Sequence, residues 1–352
     1  MRRGNIIYVA ALVLTLALSG GCQRLADPDA GRGTIRFNAS SLQLSTGSTK
    51  GGTTVEGTTF ATNETDHFAV FGWHADGDGE KWIFDNQKVT CGALSDARNK
   101  TSYDPSQPWE WANNTTDYYD FLAFYKWKSG VYTKSINPTS VHVLYDATDE
   151  QYDLMAAGMR RAGTDEETRE AIVPLTFQHL LCAVKVVVYN DSREKSFTLK
   201  KLHFKGLVVS DEAVLSLTPP STVSVSWIDP ALNTVGELFG FNSDKTITAG
   251  GSVSWPDGGV NGNYNLLVPQ TLTAAARLEM DFQYDNDGTK NSSLSLSLST
   301  VPNETDGRLL TTWAAGYKYE YQIHIRVDGG VVVTVITTEW DSVEAQTHGI
   351  ML

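Results

Sequence analysis

Several things are scarce in this 352-residue chain, and each scarcity excludes a class of function. Cysteine occurs only at Cys22, Cys91 and Cys182, too few for a disulfide-stapled scaffold. No run of Lys and Arg interleaves with aromatics, and 41 acidic side chains face 28 basic ones, for a net charge of −13. Such a surface repels phosphate backbones, so no nucleic-acid partner is expected. The Leu, Ala, Glu and Lys runs of long helices are missing too. No stretch keeps apolar residues at helical spacing for three turns, and Thr164–Ala171 reads as one short helix or a charged loop. There is no Gly-x-Ser-x-Gly elbow, phosphate loop or dinucleotide fingerprint. Carboxylate pairs single out nothing in a chain this acidic. No catalytic residue and no cofactor are expected, and the chain does not read as an enzyme.

Metal ligands are equally hard to find. His67 and His74 lie seven apart, which places them on opposite faces of a continuous strand. His179 and His203 stand in apolar strands, and no pair has helical zinc spacing. Asp76, Asp78 and Glu80, interleaved with Gly77 and Gly79, have oxygen ligands for calcium but lack the rest of a known loop pattern. A solvated hairpin turn accounts for them, and no bound metal is expected.

What is present begins at the N-terminus. Met1-Arg2-Arg3 is positively charged, and Ile6–Leu18 is a 13-residue run without charge. That is too short to span a bilayer, which takes about 20 residues, but it suits the core of a signal peptide. Ser19, Gly20 and Gly21 then precede Cys22. The arrangement resembles a bacterial lipobox, in which the cysteine is lipidated and becomes the new N-terminus. Here Ser19 stands three places before the cysteine, where Leu is usual. Residues 1–21 are read as the signal peptide and 22–32 as a polar tether. Beyond Cys22 no apolar run has spanning length, so the expected mature chain is anchored and does not cross. It keeps 26 basic and 41 acidic side chains, a charge of −15. Cys182 lies in the apolar run Leu180–Val184 and reads as a buried thiol rather than a partner for Cys91.

The remainder alternates with period two. Strand-like segments include Ile35–Phe37, Phe68–Trp73, Trp82–Phe84, Tyr118–Tyr125, Val141–Tyr145 and Ile172–Phe177. The almost wholly apolar Val184–Val188 predicts a strand covered on both faces. Phe197–Leu199, Leu202–Phe204, Val214–Leu217, Val223–Trp227, Tyr264–Val268, Leu278–Tyr284, Leu294–Leu298, Tyr317–Val327 and Val331–Trp340 continue the pattern. Asp328-Gly329, between the last two, predicts a hairpin. About sixteen strands without a helical layer imply sheet packed on sheet. The expected fold is all-β, with two sandwich domains at 33–190 and 191–352.

The order of certain segments resembles the Bacteroidetes fimbrillin-like family, which includes subunits of type V pili. After the lipobox come Gly33-Thr-Ile-Arg-Phe37, a Ser/Thr/Gly-rich link with Lys50, and Phe68-Ala-Val-Phe-Gly. Mid-chain lie Tyr118-Tyr-Asp-Phe-Leu-Ala-Phe-Tyr125, Asp153-Leu-Met-Ala-Ala157 and Val173-Pro-Leu-Thr-Phe-Gln-His179. Trp313-Ala-Ala-Gly-Tyr-Lys-Tyr319 and Thr337-Thr-Glu-Trp340 follow. The resemblance implies transthyretin-like β-sandwiches on a lipoprotein of the cell outer membrane, exposed at the surface in a fimbrium. It implies removal of the first strand, roughly 33–49, by a trypsin-like protease, and completion of the vacated groove by another subunit's strand. Processing candidates are Lys50, where the family has arginine, together with Arg36 and Arg32. Residues 331–345 are the region expected to supply or pair with a donor. Expected partners are other pilin subunits, the outer membrane through the lipid on Cys22, and a host surface ligand. The rival reading is a surface glycan-binding lipoprotein, with Trp109 and Trp111 on one strand face flanked in sequence by Trp82 and Trp127 as a sugar platform.

Overall fold

The structure is a computed structural model. It describes residues 35–41, 67–95, 101–105, 109–111, 117–125, 132–134, 140–148, 152–162, 172–228, 234–235, 238–241, 244–256, 264–283 and 291–340. Among these no α-helix occurs. The one helical element is a 3-10 turn at Leu298–Thr300, and the all-β expectation holds. The candidate helix 164–171 lies outside the described residues.

The first strands are β1 (Phe37–Ser41), β2 (His67–Asp76), β3 (Gly79–Ser95), β4 (Thr101–Pro105) and β5 (Tyr118–Tyr125). Next come β6 (Tyr132–Lys134), β7 (Ser140–Asp146), β8 (Met155–Ala162) and β9 (Val173–His179). Seven of these nine pair in a closed circuit, in the order β1-β4-β3-β2-β5-β8-β9. All pairs are antiparallel except β9 with β1, which runs parallel and closes the ring. Inside the ring lies an aromatic core that includes Phe37, Phe68, Phe84, Trp111, Tyr119, Phe121 and Phe177.

The wall formed by β2, β5 and β8 is covered on both faces. Phe68 and Val70 point into the ring, while Ala69, Phe71 and Trp73 point out of it into a second, larger core. Phe121 and Leu122 divide in the same way on β5. Period two therefore sorts every second residue to a different core, which makes these strands apolar throughout. The larger core gathers Tyr132 of β6 with Val141 and Val143 of β7.

After β9 the chain continues as β10 (Cys182–Asn190), β11 (Phe197–Lys205), β12 (Leu207–Val208), β13 (Ser210–Thr218) and β14 (Thr222–Trp227). β13 returns to pair with β7 along its whole length, giving a sheet ordered β14-β13-β7-β6. β10 pairs with Ser252–Trp255 and Asn265–Leu267, and runs parallel to Tyr317–Ile325. Both sets of pairings join segments on either side of residue 190. β10 is buried on both faces, as its composition predicts. Its Lys185 is fully buried, with Nζ 3.5 Å from a Glu320 carboxylate oxygen and 5.3 Å from the centre of the Tyr264 ring. A charge at that depth persists only when it is paired. A further sheet runs Leu238–Phe241, β11, Arg277–Gln283, Asn291–Ser297. The Asp328-Gly329 hairpin is present, with Gly329 at φ 84°, a left-handed conformation that a side chain would strain.

Alternation did not reveal β8. Met155-Ala-Ala-Gly-Met-Arg-Arg-Ala162 is rich in helix formers, yet it pairs residue for residue with β5. Tertiary pairing overrides propensity here. At the end of this pair Arg160 grips Asp120 with two bonds of 2.6 Å and lies 4.0 Å over the Tyr118 ring.

The last described residue is tied back to β9. His179 Nδ1 lies 2.9 Å from Asp153 Oδ1, both side chains are buried, and the imidazole stacks on Trp340 at 4.3 Å and 8°. Trp340 N–H donates to the Gly316 oxygen at 2.7 Å. Removing this indole opens a cavity between the two, so Trp340→Ala is expected to cost about 3–5 kcal/mol. A urea titration should show a lowered midpoint with an unchanged slope. Burial also raises the hydroxyls of Tyr145, Tyr321 and Tyr319 above the ordinary tyrosine range, Tyr319 to about 12. The folded chain therefore holds these protons at a pH where the unfolded chain has lost them. Their contribution to stability is level below about pH 10 and is lost as pH rises from there toward 12. Tyrosinate absorbance should show a fraction that ionises only together with unfolding.

Candidate functional site

The feature that stands apart from ordinary packing is the channel occupied by the first strand. The chain enters it at Ile35, whose N–H donates to the Trp109 oxygen at 2.7 Å. The Arg36 oxygen accepts from the Val173 N–H at 2.8 Å. β1 then runs beside β9 from Phe37–Val173 to Ser41–Phe177, while Phe37 also faces Tyr103 of β4. The segment is thus paired on both sides at Phe37, and with β9 from there to Ser41. Its side chains alternate: Ile35 and Phe37 are fully buried, and Arg36 between them is half-buried.

Phe37 sits in a chamber of rings. Its centroid lies 5.4 Å from Phe121, 6.0 Å from Phe84 and 6.3 Å from Phe68, all edge-on. Edge-to-face geometry sets the positive ring edge against a negative face. Phe177 and Trp111 extend the cluster, at 5.4 Å from Phe68 and 6.2 Å from Phe121. The Trp111 indole N–H is buried and finds no hydrogen-bond partner among the described residues.

One glycine makes the chamber fit. Gly72 of β2 stands directly opposite Phe84 on one side and Phe121 on the other. A Cβ there would lie 2.9 Å from a Phe84 ring carbon and 3.1 Å from one of Phe121. Glycine lets both rings fold across the strand. The segment Phe68-Ala-Val-Phe-Gly contains this residue, but only pairing reveals that its lack of a side chain is what matters. Sequence reading missed Gly72, Phe84, Trp111 and Phe121 as channel residues, because their common destination depends on pairings across dozens of residues.

Of the residues singled out by sequence, Arg36 lies in the channel, with its backbone engaged. Cys22, Arg32, Lys50 and Trp127 lie outside the described residues. Region 331–345 is described to Trp340. It contains the strand Val331–Glu339, which is antiparallel to Tyr317–Ile325 at the edge of its sheet. The Val335 backbone on that edge bonds to Pro302 and Glu304.

Asp76 accepts from the Asp78 N–H at 2.9 Å and from Lys81 at 3.1 Å, and these two contacts hold its carboxyl below the usual range. Glu80 accepts from the Tyr118 hydroxyl at 3.0 Å. The acidic turn is thus a hairpin bonded to itself and its neighbour. His74 bonds Asp117 at 2.8 Å and stacks on Tyr119 at 4.4 Å. Among the described residues no three potential ligands converge on a metal site. Cys182 is fully buried, its thiol pushed far up by burial and donating to the Leu267 oxygen at 3.3 Å.

The tryptophans do not assemble into a platform among the described residues. Trp111 is core, whereas Trp109, two residues away, is 37% exposed. The two were expected on one face. The short segment instead turns its second indole into the ring. Trp82 packs edge-on against Trp73 at 5.4 Å and is half-buried. No described helix is long and apolar enough to cross a membrane.

Comparison with curated proteins finds no match. Solved structures do resemble the chain. A fimbrial protein from Bacteroides vulgatus superimposes with a TM-score of 0.50 at 11% identity, covering 87% of this chain and 99% of that one. The tip fimbrial protein Mfa3 from Porphyromonas gingivalis, with C-terminal truncation, matches at a TM-score of 0.37 and 10% identity, over 88% and 99% of the two chains. A family model described as fimbrillin-like matches residues 53–340. The all-β architecture and this match over most of the sequence place the chain in one group: it belongs to the fimbrillin-like family.

Proposed function

We propose that this chain is a structural or adhesive subunit of a type V fimbria, exported as a lipoprotein held in the outer membrane through Cys22. It assembles when its first strand is removed and the channel is filled by a strand of a neighbouring subunit. The observation that carries this reading is the double pairing of the first strand. Taking away residues 35–41 would leave β4 and β9 with unpaired backbone groups and would expose the aromatic chamber. Such an edge is a template for another chain. A groove of that kind must stay plugged until assembly, and here the plug is part of the same polypeptide.

Of the processing candidates, Lys50 serves this mechanism best. A cut after Arg32 would leave Ile35 and Phe37 in place. A cut after Arg36 would leave Phe37 in its chamber, and proteases need an extended, accessible segment that a doubly paired strand does not present. A cut after Lys50 frees the whole first strand. Fimbrial assembly makes other subunits the principal partners and puts the protein on the cell surface. No enzymatic activity is part of this function.

Two measurements test it. Mild trypsin treatment of the purified precursor should clip the link within 45–55 and convert monomers into oligomers. A chain that is neither clipped there nor oligomerises would refute strand removal as the trigger. Mass spectrometry of membrane fractions should find the N-terminus of the precursor at a diacylated or triacylated Cys22, and Cys22→Ala should shift the protein to the soluble fraction. A C22A chain that remains membrane-bound rules out the anchor.

A further inference from the structure

The channel does not treat all strands alike, and its geometry says what the incoming strand must carry. Among the described side chains of the first strand two buried positions do the selecting, those of Ile35 and Phe37, spaced two apart so that both point into the ring. The second is the narrower requirement. Three rings approach Phe37 edge-on within 6.3 Å, and Gly72 is the residue that gives two of them, Phe84 and Phe121, room to do so. A chamber built from ring edges and faces is filled by a flat ring. An aliphatic side chain leaves part of it empty, and the lining then loses contacts outright. Direction is set as well, since the occupant runs parallel to β9 and antiparallel to β4.

The chain's own candidate donor region does not meet this requirement. Val331–Glu339 is valine, isoleucine and threonine ending in one glutamate, with no ring. The first aromatic after it is Trp340, and that indole is 2% exposed, stacked on His179. Residues 341–345 are Asp, Ser, Val, Glu and Ala.

Resting on the strand-exchange reading above, we propose that the Phe37 chamber is the specificity pocket of the channel. Its physiological occupant is a strand from a chemically different subunit, carrying an aliphatic residue and, two places later, an aromatic one. A second copy of this chain offering its 331–345 region does not fill it. The subunit therefore accepts a heterologous neighbour at this end.

The test uses the full-length chain with Phe37→Ala, which weakens the resident strand, and fluorescent peptides as probes. One peptide reproduces residues 33–41, a second replaces its phenylalanine by alanine, and a third reproduces residues 331–345. The phenylalanine peptide should bind at least about tenfold tighter than either of the others, the ratio expected for one buried ring. Equal binding of the first two overturns aromatic selection while leaving strand exchange standing. Equal binding of the first and third overturns the heterologous partner. Binding of none of them to a folded variant whose link trypsin has cut rejects strand exchange itself, and this proposal with it. Should Phe37→Ala fail to fold, Phe37→Leu keeps most of the volume and gives the same comparison.

Discussion

The structure depends on one strand having both of its edges satisfied. A β-strand inside a sheet offers donors and acceptors on two sides, and unpaired groups in an apolar setting cost about 1–3 kcal/mol each. β1 supplies those partners to β4 and β9 and closes a ring that would otherwise gape. It also places Phe37 where three other phenylalanines converge. Backbone pairing and side-chain packing thus act through the same few residues. Under the proposed function this site is either full or open.

This explains how different the site is from a catalytic centre. Enzymes hold titratable groups at pockets where burial and neighbouring charge shift their protonation. Here the buried charges serve packing. Asp120 is gripped by Arg160, Lys185 lies opposite Glu320, and the imidazole of His179 is held between Asp153 and Trp340. The first two pairs join neighbouring strands, and the third ties β9 to the segments that hold Asp153 and Trp340. The channel itself is lined by rings, which suits recognition by shape.

Much of the fold was legible in the sequence, because period-two alternation is a local signal. Strands such as Phe68–Trp73, Val141–Tyr145 and Val331–Trp340 appear close to where alternation put them. β10 is buried on both faces, as its run of valines announces. What stayed hidden depends on distant pairing. Met155–Ala162 carries helix-forming residues and becomes a strand because β5 lies beside it over eight residues. Trp109 and Trp111 looked like one face of a strand and separate into surface and core. The channel was readable only in part. Alternation marked Ile35 and Phe37 as buried, but nothing near them in sequence names Phe84 or Phe121 as their neighbours.

The wall of β2, β5 and β8 determines how the molecule tolerates a vacancy. One face of this wall packs inside the ring, and the other packs on the larger core that runs through to Trp340. The described buried side chains of the first strand, Ile35 and Phe37, belong to the ring face. Phe71, Trp73, Leu122 and Phe124 keep their partners on the opposite face, and Asp120 keeps Arg160. An isolated two-layer module would lose its core along with its plug. A wall buttressed from behind holds its strands in register while one side stands open. The lining residues then stay close to the positions a new strand needs, which lowers the ordering cost of binding it. The larger core, remote from the channel in sequence, thus backs the wall that the proposed strand exchange would leave open.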